Sequence, residues 1–251
     1  MQSRSILGMR VDATSYAGAT GTVLEWARRG ESRYVCIASV NNVMEAVDSA
    51  EFRSVMNAGD LVTSDGMPLV WGLRRLGVKT ASRVYGPDLF PCVLRAAEQA
   101  GIPVGFYGGA GEDVLDRLES EALRRFPELR IVYRWSPPFR PLTPAEDAHV
   151  THEIEASGAG ILFVGLSTPK QELWMSAHRG RVPAVMLGVG AAFDFFTGAK
   201  AQAPRWMMRS GLEWLFRLFT EPRRLWKRYL KHNPRFVVYF AWQLLRGGNH
   251  S

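Results

Sequence analysis

The 251-residue chain contains only two cysteines, Cys36 and Cys92, both set among apolar neighbours. No CxxC pair or Cys/His cluster points to zinc, and two thiols in apolar surroundings fit a reducing compartment better than a disulfide. Long apolar runs are missing too: none approaches the roughly 18 residues of a transmembrane helix. The opening MQSRSILGMRVDA has too short an apolar stretch for a signal peptide, so a cytoplasmic location is expected. Neither a complete GxGxxG nor a P-loop GK[ST] occurs, and there is no DxD motif. Internal repeats and low-complexity segments are absent as well.

A hydrophobic content of 47% with 22% charged residues is ordinary for a soluble domain with a sizeable core. The net charge of +7 is unevenly placed. Residues 200–251 hold eleven Lys/Arg against Glu213 and Glu221, a net +9, whereas residues 1–199 carry the remaining 20 basic and 22 acidic side chains, a net −2. A near-neutral body with a basic tail predicts an anionic surface as partner, either membrane or nucleic acid.

The stretch Ile161–Glu172, ILFVGLSTPKQE, organises the rest. Ile161–Val164 reads as a strand buried on both faces, followed by a helix start with Thr168 as N-cap and Pro169 at the first helical position. Lys170 and Gln171 then fall in the first turn, at the sheet edge where open α/β folds bind ligands, and a helix N-terminus there can cradle an anion. Around this stretch, strands are expected at Tyr34–Val40, Leu61–Ser64, Val104–Tyr107, Arg130–Trp135 and Ala184–Leu187. Helices are expected over 43–57, through Trp71 and Leu73, from Asp88 to Ala100, through Leu123, and from a Thr143-Pro144-Ala145-Glu146 capping box. Strands alternating with helices predict an α/β fold, a Rossmann-like parallel sheet flanked by helices, with residues 200–251 as a basic helical appendage.

Several side chains could carry chemistry, each with a plain alternative. Asp65, beside Gly66 at a strand end, could act as general base or simply cap the next helix. Arg83 could hold a diphosphate or stay solvated. Gly108, Gly109 and Gly111 could let backbone approach a phosphate or form an ordinary turn. Asp194 could accept from ribose hydroxyls or serve its turn. His149 and His152 share a helix face among acidic residues with no third ligand, which reads as a solvated face.

SVNN at Ser39–Asn42, SDGMPLVWG at Ser64–Gly72, RVYGPDL at Arg83–Leu89, FYGGAG at Phe106–Gly111, VGLSTPKQE at Val164–Glu172 and GVGAAFDFFTG at Gly188–Gly198 together resemble the WecG/TagA/CpsF glycosyltransferases (glycosyltransferase family 26). The resemblance implies a sugar transferred with inversion from a UDP-sugar to a polyprenyl-diphosphate-linked saccharide at the inner membrane face, in cell-surface polysaccharide or teichoic acid synthesis. It makes Asp65 the base, sets Ser39 and Asn41 at the donor sugar, and puts Arg83 and Gln171 near the diphosphate. It also brings Asp194 to the nucleoside. Ser39 stands where threonine is commoner, which keeps a hydroxyl, and Gly190-Ala191 stands for the usual GG. The missing DxD fits a metal-independent reaction, with no cofactor, in which Lys170, Gln171 and Arg83 stabilise the leaving UDP. Residues 1–199 then form the catalytic domain; homo-oligomerisation stays open.

Two rival classes are weighed against this. A Rossmann-type oxidoreductase lacks the full glycine fingerprint and the acidic residue about 20 positions on. A nucleic-acid-binding protein could use the basic tail with its interleaved aromatics. In EPRRLWKRYLKHNP, from Glu221, the basic residues Arg223, Arg224, Lys227, Arg228 and Lys231 share one helix arc, and Leu225, Trp226, Tyr229 and Leu230 another, with Asn233-Pro234 expected to end the helix. Four of the eight tryptophans lie in this tail. The reading preferred is an interfacial anchor on anionic lipid, with no nucleic-acid role.

Overall fold

The computed structural model describes residues 1–247. Its centre is a six-stranded parallel sheet of β3 (Arg33–Ala38), β4 (Leu61–Ser64), β5 (Val104–Gly108), β6 (Ile131–Trp135), β7 (Ile161–Gly165) and β8 (Val185–Gly188). Their order is β4-β3-β8-β7-β5-β6. The inner strands are apolar throughout, yet the period of two still sorts them. Ile161 and Phe163 join one core, Leu162 and Val164 the other. The first core lies under α1 (Tyr16–Arg28), α5 (Gly86–Ala100), α6 (Glu112–Arg125) and α9 (Ala192–Phe196). Its centre is aromatic, with Phe90 edge-on to Phe163 at 4.7 Å and to Phe196 at 5.1 Å. The second lies under α2 (Val40–Asp48), α3 (Ala50–Ala58), α4 (Met67–Arg75), α7 (Pro144–Ser157) and α8 (Lys170–His178). The three-layer α/β architecture expected from the sequence is present.

The hairpin β1 (Gln2–Ile6) and β2 (Met9–Ala13), together with α1, precedes the first strand that the sequence made plain. Buried Asp12 of β2 accepts from the Val62 backbone N–H at 2.8 Å and clasps the hairpin to edge strand β4. The single helix expected over 43–57 is two, because Ser49 adopts an extended backbone and its hydroxyl caps α3 through Phe52 N–H. The strand expected to reach Val40 ends at Ala38; Ser39 is already the N-cap of α2. Asp88 sits inside the first turn of α5, which starts at Gly86.

The tail forms α10 (Arg205–Arg209), α11 (Glu213–Thr220) and α12 (Pro222–Leu245). The helix does not end at Pro234. Pro234 lacks the N–H that would reach the Leu230 carbonyl, but α12 runs on because buried His232 and Phe236 hold it to the body on either side. Lys231 and Arg235 pair with Asp48 of α2, and Gln243 bonds the backbone of Ser5 and Leu7. The five cations expected on one outward arc are therefore divided. Lys231 is tied to α2, and Arg224 and Arg228 line a cavity beneath the tail.

Candidate active site

The strand order turns at β3: the chain steps outward to β4, then crosses to the far half of the sheet. A crevice opens above the carboxyl ends at such a point. Here α11 and α12 cover it, enclosing a cavity of about 800 Å³. Its floor carries Ser39, Asn41, Asp65, Thr168, Gln171 and Gly190, delivered by the ends of β3, β4, β7 and β8.

Asp65 follows β4 directly, its N–H bonded to the Ala38 carbonyl at 2.8 Å. Its side chain keeps about 24% exposure, and Oδ1 is buried without a hydrogen-bond partner. Burial pushes the carboxyl up to about 7; Glu213 adds to the rise and Arg83 opposes it. Arg83 donates to the Asp65 backbone carbonyl and grips the Glu213 carboxylate, with Nη2 3.7 Å from Asp65 Oδ1 and its guanidinium 4.1 Å over the Tyr85 ring. Arg83 is a clamp between the sheet edge and α11.

Gln171 points into the cavity and is 4% exposed, held by a buried network. The Glu172 carboxylate accepts at Oε1 from Asn42 Nδ2 (3.0 Å), Thr168 Oγ1 (2.9 Å) and Gln171 Nε2 (2.9 Å). Thr168 is thus engaged with Glu172, and the N-cap of α8 is Pro169, one residue later than expected. Asn42 Oδ1 in turn accepts from the Ser39 N–H (3.0 Å) and hydroxyl (2.9 Å). Burial raises the Glu172 carboxyl, and the side-chain donors pull the other way. Gln171 Oε1 and Asn41 Oδ1 remain buried with no partner, in two side chains that line the cavity.

Four of the sequence-predicted site residues, Asp65, Ser39, Asn41 and Gln171, meet on this floor, and Arg83 borders it. Gly108, Gly109, Gly111, Lys170 and Asp194 lie outside the cavity wall. Gly108, at φ +124°, lets β5 pass so close to β7 that a Cβ would meet the Gly165 backbone at 2.6 Å. That turn serves strand packing. Lys170 faces outward from α8, and Asp194 pairs with Lys200 at 2.6 Å, leaving Phe195 in the wall.

The sequence reading missed the roof. Glu213, Arg217, Arg228, Tyr229 and His232 come from α11 and α12. Arg217 and Arg228 each bury an Nε with no partner, and burial pulls the Arg228 guanidinium below its ordinary range. Arg217 also stands 3.7 Å from the Glu221 carboxylate, so the roof carries one paired arginine beside Arg228. Their signal was the tail's positive charge, which the sequence reading directed outward to lipid.

Residues 4–250 match the profile described as Glycosyl transferase WecG/TagA/CpsF family. Among similar proteins, an N-acetylglucosaminyldiphosphoundecaprenol N-acetyl-beta-D-mannosaminyltransferase of Bacillus spizizenii is 31% identical over 211 residues, 84% of this chain and 79% of that protein. The profile spans the floor and the roof alike, and this chain belongs to the WecG/TagA/CpsF family of glycosyl transferases.

Proposed function

We propose that the protein transfers a sugar from a UDP-sugar, of the N-acetylhexosaminyl type, to a saccharide held on polyprenyl diphosphate, inverting the anomeric centre. The observation that carries this reading is the half-buried Asp65 on the cavity floor, its carboxyl at about 7, beneath a roof that carries Arg217 and Arg228. Asp65 takes the proton from the acceptor hydroxyl as that oxygen attacks the anomeric carbon. The bond from that carbon to the diphosphate oxygen breaks, and its electron pair leaves with UDP. Arg217 and Arg228 offset the negative charge that develops on the diphosphate, without a bound metal in this reading. Gln171 Oε1 and Asn41 Oδ1 accept from sugar N–H and O–H groups, and the Glu172 network keeps the Gln171 amide from turning.

The relative's name, an N-acetylmannosaminyltransferase acting on N-acetylglucosaminyldiphosphoundecaprenol, supports the acceptor class and the type of sugar. Among the described residues no helix is long and apolar enough to cross a membrane. Exposed Val238, Trp242 and Leu245 on α12 support a peripheral seat on the inner membrane face. The test is UDP release from a panel of UDP-sugars, UDP-N-acetylmannosamine included, with an N-acetylglucosaminyl-diphosphate-lipid acceptor. Release that needs both substrates, with inverted product, is expected. No release across the panel, or a retained anomeric configuration, overturns the reading.

A further inference from the structure

The cavity is not uniformly polar. Above Asp65 it is lined by arginines; away from them it continues between α4 and α12, where Met67, Trp71 and Gly72 face Val237, Phe240 and Leu244. The two helices meet at Gly72, where a Cβ would lie 3.2 Å from Phe240 Cζ and 3.1 Å from Ile6 Cδ1. Glycine inside a helix costs about 1 kcal/mol against alanine, and this close crossing is the return. Trp71, 45% exposed, stacks its ring edge on Gly211 and joins the roof to α4. From Asn233 to Leu244 the wall of α12 runs about 17 Å. Arg75 also lines the cavity, and Leu245, the residue after Leu244, is 84% exposed.

We propose that this apolar passage is a lane for the first isoprene units of a prenyl diphosphate. The lane rests on the transferase reading above, in which the acceptor is such a lipid. Charge sorting favours this occupant: cations at one end meet the diphosphate and bare hydrocarbon walls at the other meet the prenyl chain. A peptide segment would bring backbone N–H and C=O groups into a wall with almost nothing to pair them, whereas hydrocarbon needs no partner. The lane runs along α12 as far as Leu244, next to the exposed Leu245.

The experiment uses the full chain without detergent or vesicles. Dissociation constants for inorganic diphosphate, geranyl diphosphate and farnesyl diphosphate are read by tryptophan fluorescence, with Trp71 in the lane. Each isoprene unit is expected to tighten binding by at least about tenfold. Val237→Asp, at a position 65% exposed, and Leu244→Asp should flatten the series and cost farnesyl diphosphate at least about tenfold, with inorganic diphosphate little changed. Val238→Asp, one residue along α12 but outside the cavity wall, should keep the series. Equal affinity for all three ligands in the unmodified protein, or the same loss in Val238→Asp as in Val237→Asp, overturns the lane. Sugar transfer is scored separately. Chain-length dependence without transfer keeps the lane and removes the transferase reading; transfer without chain-length dependence does the reverse.

Discussion

The guanidinium of Arg83 stands 3.7 Å from the carboxyl of Asp65. An arginine at that distance should hold an aspartate ionised well below its ordinary range. Here it does not, because burial acts the other way and Glu213 competes for the same guanidinium. The outcome is a carboxyl that titrates near neutrality, where a general base works best. Since Glu213 lies on α11, the basicity of Asp65 depends on the tail being docked.

Asp65→Asn should lower kcat by about 10²-fold or more while sparing UDP affinity. In the unmodified enzyme kcat/KM for the acceptor should fall about tenfold per unit as pH drops below about 7. Stability moves oppositely. A folded-state value raised above the unfolded one favours folding at low pH, and that contribution is lost as pH rises from about 4 through about 7. Asp65→Asn should therefore raise Tm above pH 7 and leave it nearly unchanged near pH 4. A variant with unaltered turnover would remove Asp65 from the chemistry.

Glu213→Gln removes a negative charge beside Asp65 and frees Arg83 to pair with it. Both changes favour the ionised carboxylate, so the acid limb of the pH profile should move to lower pH. A limb that stays in place, or moves up, would show that Asp65 and Glu213 are not coupled.

How far the chain itself disclosed this site follows from the range of the forces involved. Strand ends and helix starts are local, so Asp65 and Gln171 could be placed at the sheet edge from the residues themselves, while Ser39 and Asn41 came from the family resemblance. The Glu172 network was not legible: Asn42 and Glu172 are 130 positions apart, and only the register of β3 beside β8 and β8 beside β7 brings them to 3.0 Å. Gly108, Gly109 and Gly111 lie outside the cavity wall, and at Gly108 the close approach to Gly165 already requires a glycine. The tail was legible only in part. Helical periodicity separated its basic and apolar arcs, but both arcs have two uses, and which arginine turns inward is decided by where Leu225, His232 and Phe236 bury.

Asn42→Ala would leave the buried Glu172 carboxylate one donor short, and Ser39 without its acceptor. Loss of a buried charged-group hydrogen bond costs about 1.5–3 kcal/mol, readable as a lower urea midpoint with unchanged m-value. Activity should fall too, because the Gln171 amide loses its fixed orientation. Full stability in Asn42→Ala would show that the network holds nothing.

Arg217→Ala and Arg228→Ala should each weaken UDP more than uridine, since only UDP carries the charge they face. Equal weakening of both ligands would move these arginines away from the phosphates. Turnover should survive EDTA, because the roof supplies the cations; a complete loss restored by Mg²⁺ or Mn²⁺ would overturn the metal-free reading.

The outer side of α12 sets the last prediction. Val238, Trp242 and Leu245 are 63%, 56% and 84% exposed and recur at helical spacing, on the side away from the cavity. Arg246 covers the Trp242 ring at 3.5 Å, and exposed Arg223 and Lys227 flank the same helix. An apolar stripe with cations beside it suits the boundary of an anionic bilayer, where each Lys/Arg near the surface adds about 1 kcal/mol. Trp242→Ser with Leu245→Ser should weaken flotation with anionic vesicles, and added salt should weaken it further by screening the basic residues. These two positions hold nothing in the cavity, so UDP binding should persist. Deleting the tail from residue 200 is a different perturbation: it removes Arg217, Arg228 and Glu213 together, and both vesicle and UDP binding should go. Undiminished flotation of the double variant would place the membrane contact on another face.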